Sequence, residues 1–266
     1  MNEIAFLGAG SMADAMVEGL LSKGAYTRDR ISCIGGSGTS AAKLSAKTGI
    51  RLAASLEDLL TRADTLVVAF KPGNLGSADP RLRHLTEGHL VISVLAGKTI
   101  GALSVVFPKA RNIIRSMPNT PGQIGAGLTG WCALKTPAPA DKAILDSLFG
   151  AMGREIELPE AKIDAFTAIC GCGPAYVFEF AAALRDSALE MGFEPAVAKL
   201  FAVETMLGAS RLLEHEGVDP EVLRSKVTSP NGVTAAGLRK MADRDFRGMI
   251  REAVRAAEAR AHELSV

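Results

Sequence analysis

Apolar residues follow two rhythms along this chain. Up to Leu158, short β-rich runs alternate with stretches of helical period. Strands are predicted at Ile4–Leu7, Ile31–Ile34, Ile50–Ala53, Thr65–Phe70, Leu90–Leu95, Asn112–Arg115, Leu128–Ala133 and Glu155–Leu158. Helices are predicted between them at Met12–Lys23, Ser40–Lys47, Ser55–Leu60 and Asp141–Met152. The run Ser55-Leu56-Glu57-Asp58 reads as a capped helix start, its serine placed to accept backbone N–H groups. Continuous apolar strands such as Leu66–Phe70 suit a sheet covered on both faces. The alternation predicts a doubly wound α/β domain over residues 1–158.

After Pro159 the strand signals stop. Helices are predicted at Tyr176–Met191, Pro195–His215, Pro220–Val227, Thr234–Met241 and Phe246–Leu264, giving a helical domain over 159–266. Breaks fall at Gly192, Gly217 and Ser229-Pro230-Asn231-Gly232. The first of these helices is apolar over a wide arc, through Val177, Phe178, Phe180, Ala181, Leu184, Ala188 and Met191. Such a helix must be covered on several sides, either in an intertwined dimer or as a core helix within one subunit.

Composition narrows the class. The 266 residues carry a net charge of +1 with no basic block, so no nucleic-acid partner is expected. No apolar run reaches the length of a membrane span, and the acidic start Met1-Asn2-Glu3 does not read as a signal peptide. Four cysteines in a chain this long are no disulfide scaffold. A soluble, cytoplasmic protein is expected.

The most specific motif is Gly8-Ala9-Gly10-Ser11-Met12-Ala13, directly after the first strand and opening the first helix. That is the context a dinucleotide fingerprint requires. Gly8 serves the tight turn, Gly10 the approach of a pyrophosphate, and Ala13 close helix–strand packing. The first-turn amides would face the phosphates. The second strand ends in Cys33-Ile34-Gly35-Gly36-Ser37, with no acid to bind ribose hydroxyls. This favours NADPH over NADH, with Ser37 or Ser55 as the hydrogen-bonding residue. Ala69-Phe70-Lys71-Pro72 and Leu95-Ala96-Gly97 follow later strands, at ends where ligands sit in such sheets. Met117-Pro118-Asn119 opens a proline-stiffened loop that could present Asn119 to a carboxamide or phosphate.

In the helical half, Gly171–Tyr176 and Val227–Thr234 place glycine and proline just before helices. Such loops leave amides and hydroxyls at a helix start, a cradle for a carboxylate. Cys170 and Cys172 lack a matching second pair, so no metal site is expected.

Taken in order, Gly8–Ala13, Ala69–Pro72, Met117–Pro121, Gly171–Tyr176, Val227–Thr234 and the closing Arg260 and Glu263-Leu264 resemble pyrroline-5-carboxylate reductase across essentially the whole chain. The resemblance implies a Rossmann-type domain followed by an all-α dimerisation domain, with dimers assembled into a decamer. It implies reduction of L-1-pyrroline-5-carboxylate to L-proline, the last step of proline biosynthesis. It places the substrate carboxylate on Ser229, Gly232, Val233 and Thr234, with Ser229 and Thr234 as the catalytic pair. The cofactor falls to Gly8–Ala13, Ala69–Pro72 and Leu95–Gly97, and the nicotinamide near Met117–Asn119.

The sequence departs from the family's usual serines at Cys170 and Cys172, its glycine at Asn231, its threonine at Val233 and a smaller residue at Phe70. Asn231 tolerates left-handed backbone, whereas Val233 offers an amide but no hydroxyl. If the imine binds already protonated, positioning and water exclusion could supply most of the rate. Thr234 is the expected partner of the ring nitrogen. Three alternatives stand beside this reading: a reductase of another cyclic imino acid, a β-hydroxyacid dehydrogenase, which would need a lysine that the Gly171–Tyr176 loop lacks, and a non-catalytic NADP(H)-binding protein.

Overall fold

The structure, a computed structural model, describes residues 3–36 and 38–265; Ser37 lies outside them. The strands are β1 (Glu3–Leu7), β2 (Ile31–Ile34), β3 (Arg51–Leu52), β4 (Ala63–Val68), β5 (Leu90–Ser93), β6 (Asn112–Met117), β7 (Gly127–Ala133) and β8 (Gly153–Glu157). They form one sheet in the order β3-β2-β1-β4-β5-β6-β7-β8. All neighbours run parallel except β6 and β7. The sequence order reverses between β1 and β4, which opens a ligand crevice at the strand carboxyl ends.

The helices of this half are α1 (Ser11–Ser22), α2 (Ser40–Thr48), α3 (Leu56–Arg62), α4 (Leu82–Leu85), α5 (Ile100–Val106), α6 (Pro139–Met152) and α7 (Ile163–Phe166). Strand residues alternate between two cores. Ile4, Phe6, Val67 and Ile92 face α1 and α6, whereas Ala5, Leu66, Val68 and Val91 face α3 and α5. Both faces are therefore buried, as the continuous apolar strands require.

Ser55 caps α3 as expected, its Oγ accepting the Asp58 N–H at 3.1 Å. The predicted strand Thr65–Phe70 lies two residues earlier, at Ala63–Val68, because after the Ala69 N–H donates to the Leu7 carbonyl (2.8 Å) the chain turns across Gly8. α5 was not predicted: Gly101 and the β-branched Ile100, Val105 and Val106 disguise it, and Thr99 starts it by accepting the Ala102 N–H.

By packing, the chain falls into two units. One holds the residues up to Cys172 together with those from Ala257 on, and the other runs from Gly173 to Ala256. The second contains α8 (Gly173–Glu190), α9 (Pro195–Glu216), α10 (Pro220–Lys226), α11 (Val233–Asp243) and the first part of α12 (Phe246–Ser265). Phe178, Phe180, Leu200, Phe201 and Met249 are all exposed there.

The Gly171–Tyr176 stretch, expected as a loop before a helix, is itself helical. Thr167–Gly171 is a π-helical turn leading into α8, so helical backbone runs almost unbroken from Glu160 to Glu190. Contrary to the sequence expectation, this run is long and apolar enough, by length and composition, to cross a membrane. Between Ala165 and Ala182 its only charged residue is Glu179.

Candidate active site

The glycine turn is built as its sequence requires. Gly8 adopts φ +108°, and its N–H donates to the Ile34 carbonyl at 2.9 Å. A Cβ there would stand 2.5 Å from the Ala69 carbonyl carbon and the Phe70 nitrogen, so the β1–α1 turn and the segment after β4 are brought together by a missing side chain. Gly10 is extended and a Cβ on it would meet nothing within 4 Å. Protein packing therefore does not demand glycine at 10, whereas clearance for a phosphate above the turn would. Gly10 caps α1 without a side-chain hydrogen bond, leaving the first-turn amides to a ligand. Ala13 is fully buried and Ser11 is exposed, while Ala9 and Met12 pack with the α1 core. The fingerprint fits a dinucleotide.

Beside this turn lies a cleft of about 490 Å³ lined by Gly8, Gly35, Gly36, Leu56, Phe70 and Asn74 among others. Lys71 is exposed and Pro72 opens a short helical turn, Pro72–Ser77. Asp79 also lines the cleft. Hydrogen bonds from Arg81 pull its carboxyl down to about 2. Arg81 is engaged at 2.7 Å by Asp79 and at 2.6 Å by Glu57, so its charge is already matched. Ser55 is half-buried at the start of α3, its Oγ taken as an acceptor by the cap.

Of the later turns, Leu95 is buried in the α3–α5 core and Ala96 is exposed. Gly97, at φ +69°, lies against the end of α12. The loop after β6 is tied to the π turn. Asn119 donates from Nδ2 to the Cys170 carbonyl at 3.0 Å, and its Oδ1 accepts the Leu128 N–H at 3.0 Å. A Cβ on Gly171 would meet the Met117 methyl at 3.1 Å. Two separately noted motifs, Met117–Asn119 and Cys170–Gly171, thus form one locus, with Pro118 buried in it. Asn119 serves there as a bridge between segments. The Cys172 amide donates to the Thr167 carbonyl (2.9 Å), so this stretch is not the open amide cradle expected from its glycines. π turns are frequent at functional sites.

The second helix-start loop is the open one. Asn231 takes φ +58°, the left-handed backbone that its side chain tolerates. Ser229 Oγ occupies the space a Gly232 Cβ would need, and the Gly232 N–H donates to the Ser229 carbonyl at 3.0 Å. Gly232 caps α11 with no side-chain hydrogen bond; Val233 is 93% exposed, and Ser229 and Thr234 are exposed beside it. Among the described residues no group of three His, Cys, Asp or Glu side chains could hold a metal ion. Burial pushes the Cys33 thiol to about 11 and the Cys132 thiol to about 12, and raises that of Cys170.

Sequence reasoning missed Arg115. Its side chain is only 4% exposed, with Asp164 at 2.5 Å and Glu160 at 3.3 Å. Its partners lie 45 and 49 residues away, so no local pattern announces them.

Known proteins match throughout. Residues 160–264 fit a family model described as pyrroline-5-carboxylate reductase dimerisation, and residues 3–97 one described as NADP oxidoreductase coenzyme F420-dependent. Pyrroline-5-carboxylate reductase 2 of Bacillus subtilis is 34% identical over 99% of this chain and 95% of its own length. The Synechocystis pyrroline-5-carboxylate reductase is 34% identical over 98% of each chain. The solved pyrroline-5-carboxylate reductase of Coxiella burnetii superposes with a TM-score of 0.91 at 32% identity, covering 100% of this chain and 99% of its own. The Plasmodium falciparum pyrroline carboxylate reductase, solved with NADP bound, gives 0.89 at 27% identity over 100% and 98%. Identity above 30% along nearly the full length of both chains leaves one conclusion: this chain belongs to the pyrroline-5-carboxylate reductase family.

Proposed function

We propose that the protein reduces L-1-pyrroline-5-carboxylate to L-proline with NADPH, NADH being the weaker alternative, as the last step of proline biosynthesis. The observation that carries this reading is the Gly8 turn. Its missing side chain and the open clearance at Gly10 suit a dinucleotide, in a chain whose family acts on this imine.

Gly8–Ala13, Ala69–Pro72, Leu95–Gly97 and Met117–Asn119 hold the cofactor, with Ser37 or Ser55 hydrogen-bonding the 2′-phosphate. NADPH supplies the hydride that the imine carbon receives. Ser229 and the Val233 and Thr234 amides bind the substrate carboxylate at the start of α11, where the helix dipole favours an anion, while the Gly232 amide, already donating to the Ser229 carbonyl, shapes the turn instead of binding directly as the resemblance implied. The Thr234 hydroxyl accepts a hydrogen bond from the protonated ring nitrogen, which keeps its proton as the C=N bond becomes C–N. No strong protein acid is then required.

The functional division follows residues 1–158 for the cofactor and 159–266 for substrate and dimerisation, although by packing 159–172 and the end of α12 go with the first unit. The exposed apolar side chains of α8 and α9 support a homodimer, further assembled into a decamer, rather than a membrane span. The protein acts in the cytoplasm, without nucleic acid or membrane as partner.

The test is NADPH oxidation by the purified chain with pyrroline-5-carboxylate, with NADH and a six-membered cyclic imino acid in parallel. Rapid turnover of the five-membered imine supports the reading. Turnover only of the six-membered ring reassigns the substrate, and binding of NADPH without either turnover removes the enzyme reading.

A further inference from the structure

The closing Arg260 and Glu263-Leu264 of the family pattern have no place in the reaction described above, yet they end against a cofactor turn. Gly97 stands at φ +69° with the Leu264 backbone beside it. A Cβ on Gly97 would lie 3.0 Å from Leu264 Cβ and 3.1 Å from its carbonyl oxygen. That same oxygen accepts from Lys98 Nζ at 3.3 Å, a cation answering a helix C-terminus. Three residues apart on the same turn, Arg260 and Glu263 pair at 2.7 Å.

A second chain of contacts returns to the same place. His262 Nδ1 lies 3.8 Å from Asp164, Asp164 pairs with the buried Arg115, and Arg115 pairs with Glu160. Glu160 Oε1 accepts the N–H of Ile100 at 2.7 Å, the residue that opens α5. The turn from Leu95 to Ile100 is thus held at both ends by one closed circuit through the last turn of α12.

We propose that the last turn of α12 is a positioning clamp for the β5–α5 turn, setting NADPH affinity without touching the reacting atoms. The proposal rests on the assignment of Leu95–Gly97 to the cofactor. Two features support a clamp over mere proximity. A side chain on Gly97 would crowd the helix end as well as strain its φ, and the first amide of α5, that of Ile100, is taken by a carboxylate belonging to the same circuit.

The test is equilibrium titration of the full-length chain with NADPH, read by reduced-nicotinamide fluorescence. Leu264→Pro denies the last turn its helical geometry and leaves every charge in place; Lys98→Met removes the carbonyl anchor, and Leu264→Met is the conservative control. We expect both disruptive variants to bind NADPH about tenfold more weakly, the order that loss of preorganisation in one binding element costs. Leu264→Met should bind like the native chain, with kcat at saturating NADPH, KM for pyrroline-5-carboxylate and Tm unchanged in all three. Unchanged NADPH affinity in Leu264→Pro overturns the clamp alone, as does a joint fall of kcat and Tm, the mark of a purely structural contact. Failure of the native chain to bind NADPH overturns the cofactor assignment as well.

Discussion

Gly8 and Ala69 meet backbone to backbone: a Cβ on Gly8 would stand 2.5 Å from the Ala69 carbonyl carbon and 2.6 Å from its oxygen. Neither side of that contact is a flexible side chain that can swing away. With φ at +108° as well, Gly8→Ala combines overpacking with a disfavoured backbone. We expect a loss on the order of 3 kcal/mol in denaturant unfolding, accompanied by weaker NADPH binding. Gly10→Ala should instead keep native stability and lose NADPH affinity. Equal stabilities for the two variants would refute this division of roles.

Val233 is almost fully exposed at the start of α11, beside Ser229 and Thr234. Restoring a hydroxyl by Val233→Thr adds a donor to the proposed carboxylate cradle without disturbing any packing. KM for pyrroline-5-carboxylate should fall about tenfold, the value of one charge-assisted hydrogen bond, while Tm stays put. A steady-state assay that finds KM unmoved would place the carboxylate elsewhere.

Arg115 is buried with two carboxylates that are themselves less buried, at 18% and 38% side-chain exposure. Neutralising both, as Glu160→Gln with Asp164→Asn, leaves a buried guanidinium without a counter-charge and should cost about 3 kcal/mol. Arg115→Met removes the charge that needed pairing and should cost clearly less. Urea titrations that rank the two the other way would contradict the assignment.

Burial raises Cys33 from the ordinary 9.0 to about 11 and Cys132 to about 12, so the folded chain holds these protons longer than the unfolded chain. Stability is therefore fully present below pH 9 and declines as pH rises through 9 towards 11, on the order of 1.4 kcal/mol per pH unit for each thiol. A Cys33→Ala, Cys132→Ala double variant should flatten that decline. The same thiols should resist iodoacetamide at pH 8 until the protein unfolds; rapid alkylation of native protein would argue against their burial.

The parts legible in the sequence are those with a local cause. The glycine turn, the Ser55 cap and the left-handed Asn231 each follow from one residue's chemistry and its immediate neighbours. α5 was hidden because its Gly101 and β-branched residues mimic a loop and a strand. The role of Asn119 as a bridge, the Arg115 network and the seat of Leu264 on Gly97 all join residues far apart in the chain, where periodicity carries no information. In the candidate site, the backbone of the Gly8–Ala13 turn could be read nearly complete, whereas the joining of Met117 to Gly171 could not.

The π turn at Thr167–Gly171 inserts one residue into the helical run that ends the first unit. Phe166 and Ala168 are buried in the first unit, while α8 presents Val177, Phe178 and Phe180 to the surface. The wider step is seen in the Cys172 N–H, which reaches back five residues to the Thr167 carbonyl, and it keeps both Phe166 and Ala168 in the buried part of the turn. Deleting one residue from 167–171 would restore a regular α-helical step and pull Gly171 away from the Met117 methyl it was built to clear, so the bulge is what lets the helix end and the loop after β6 meet.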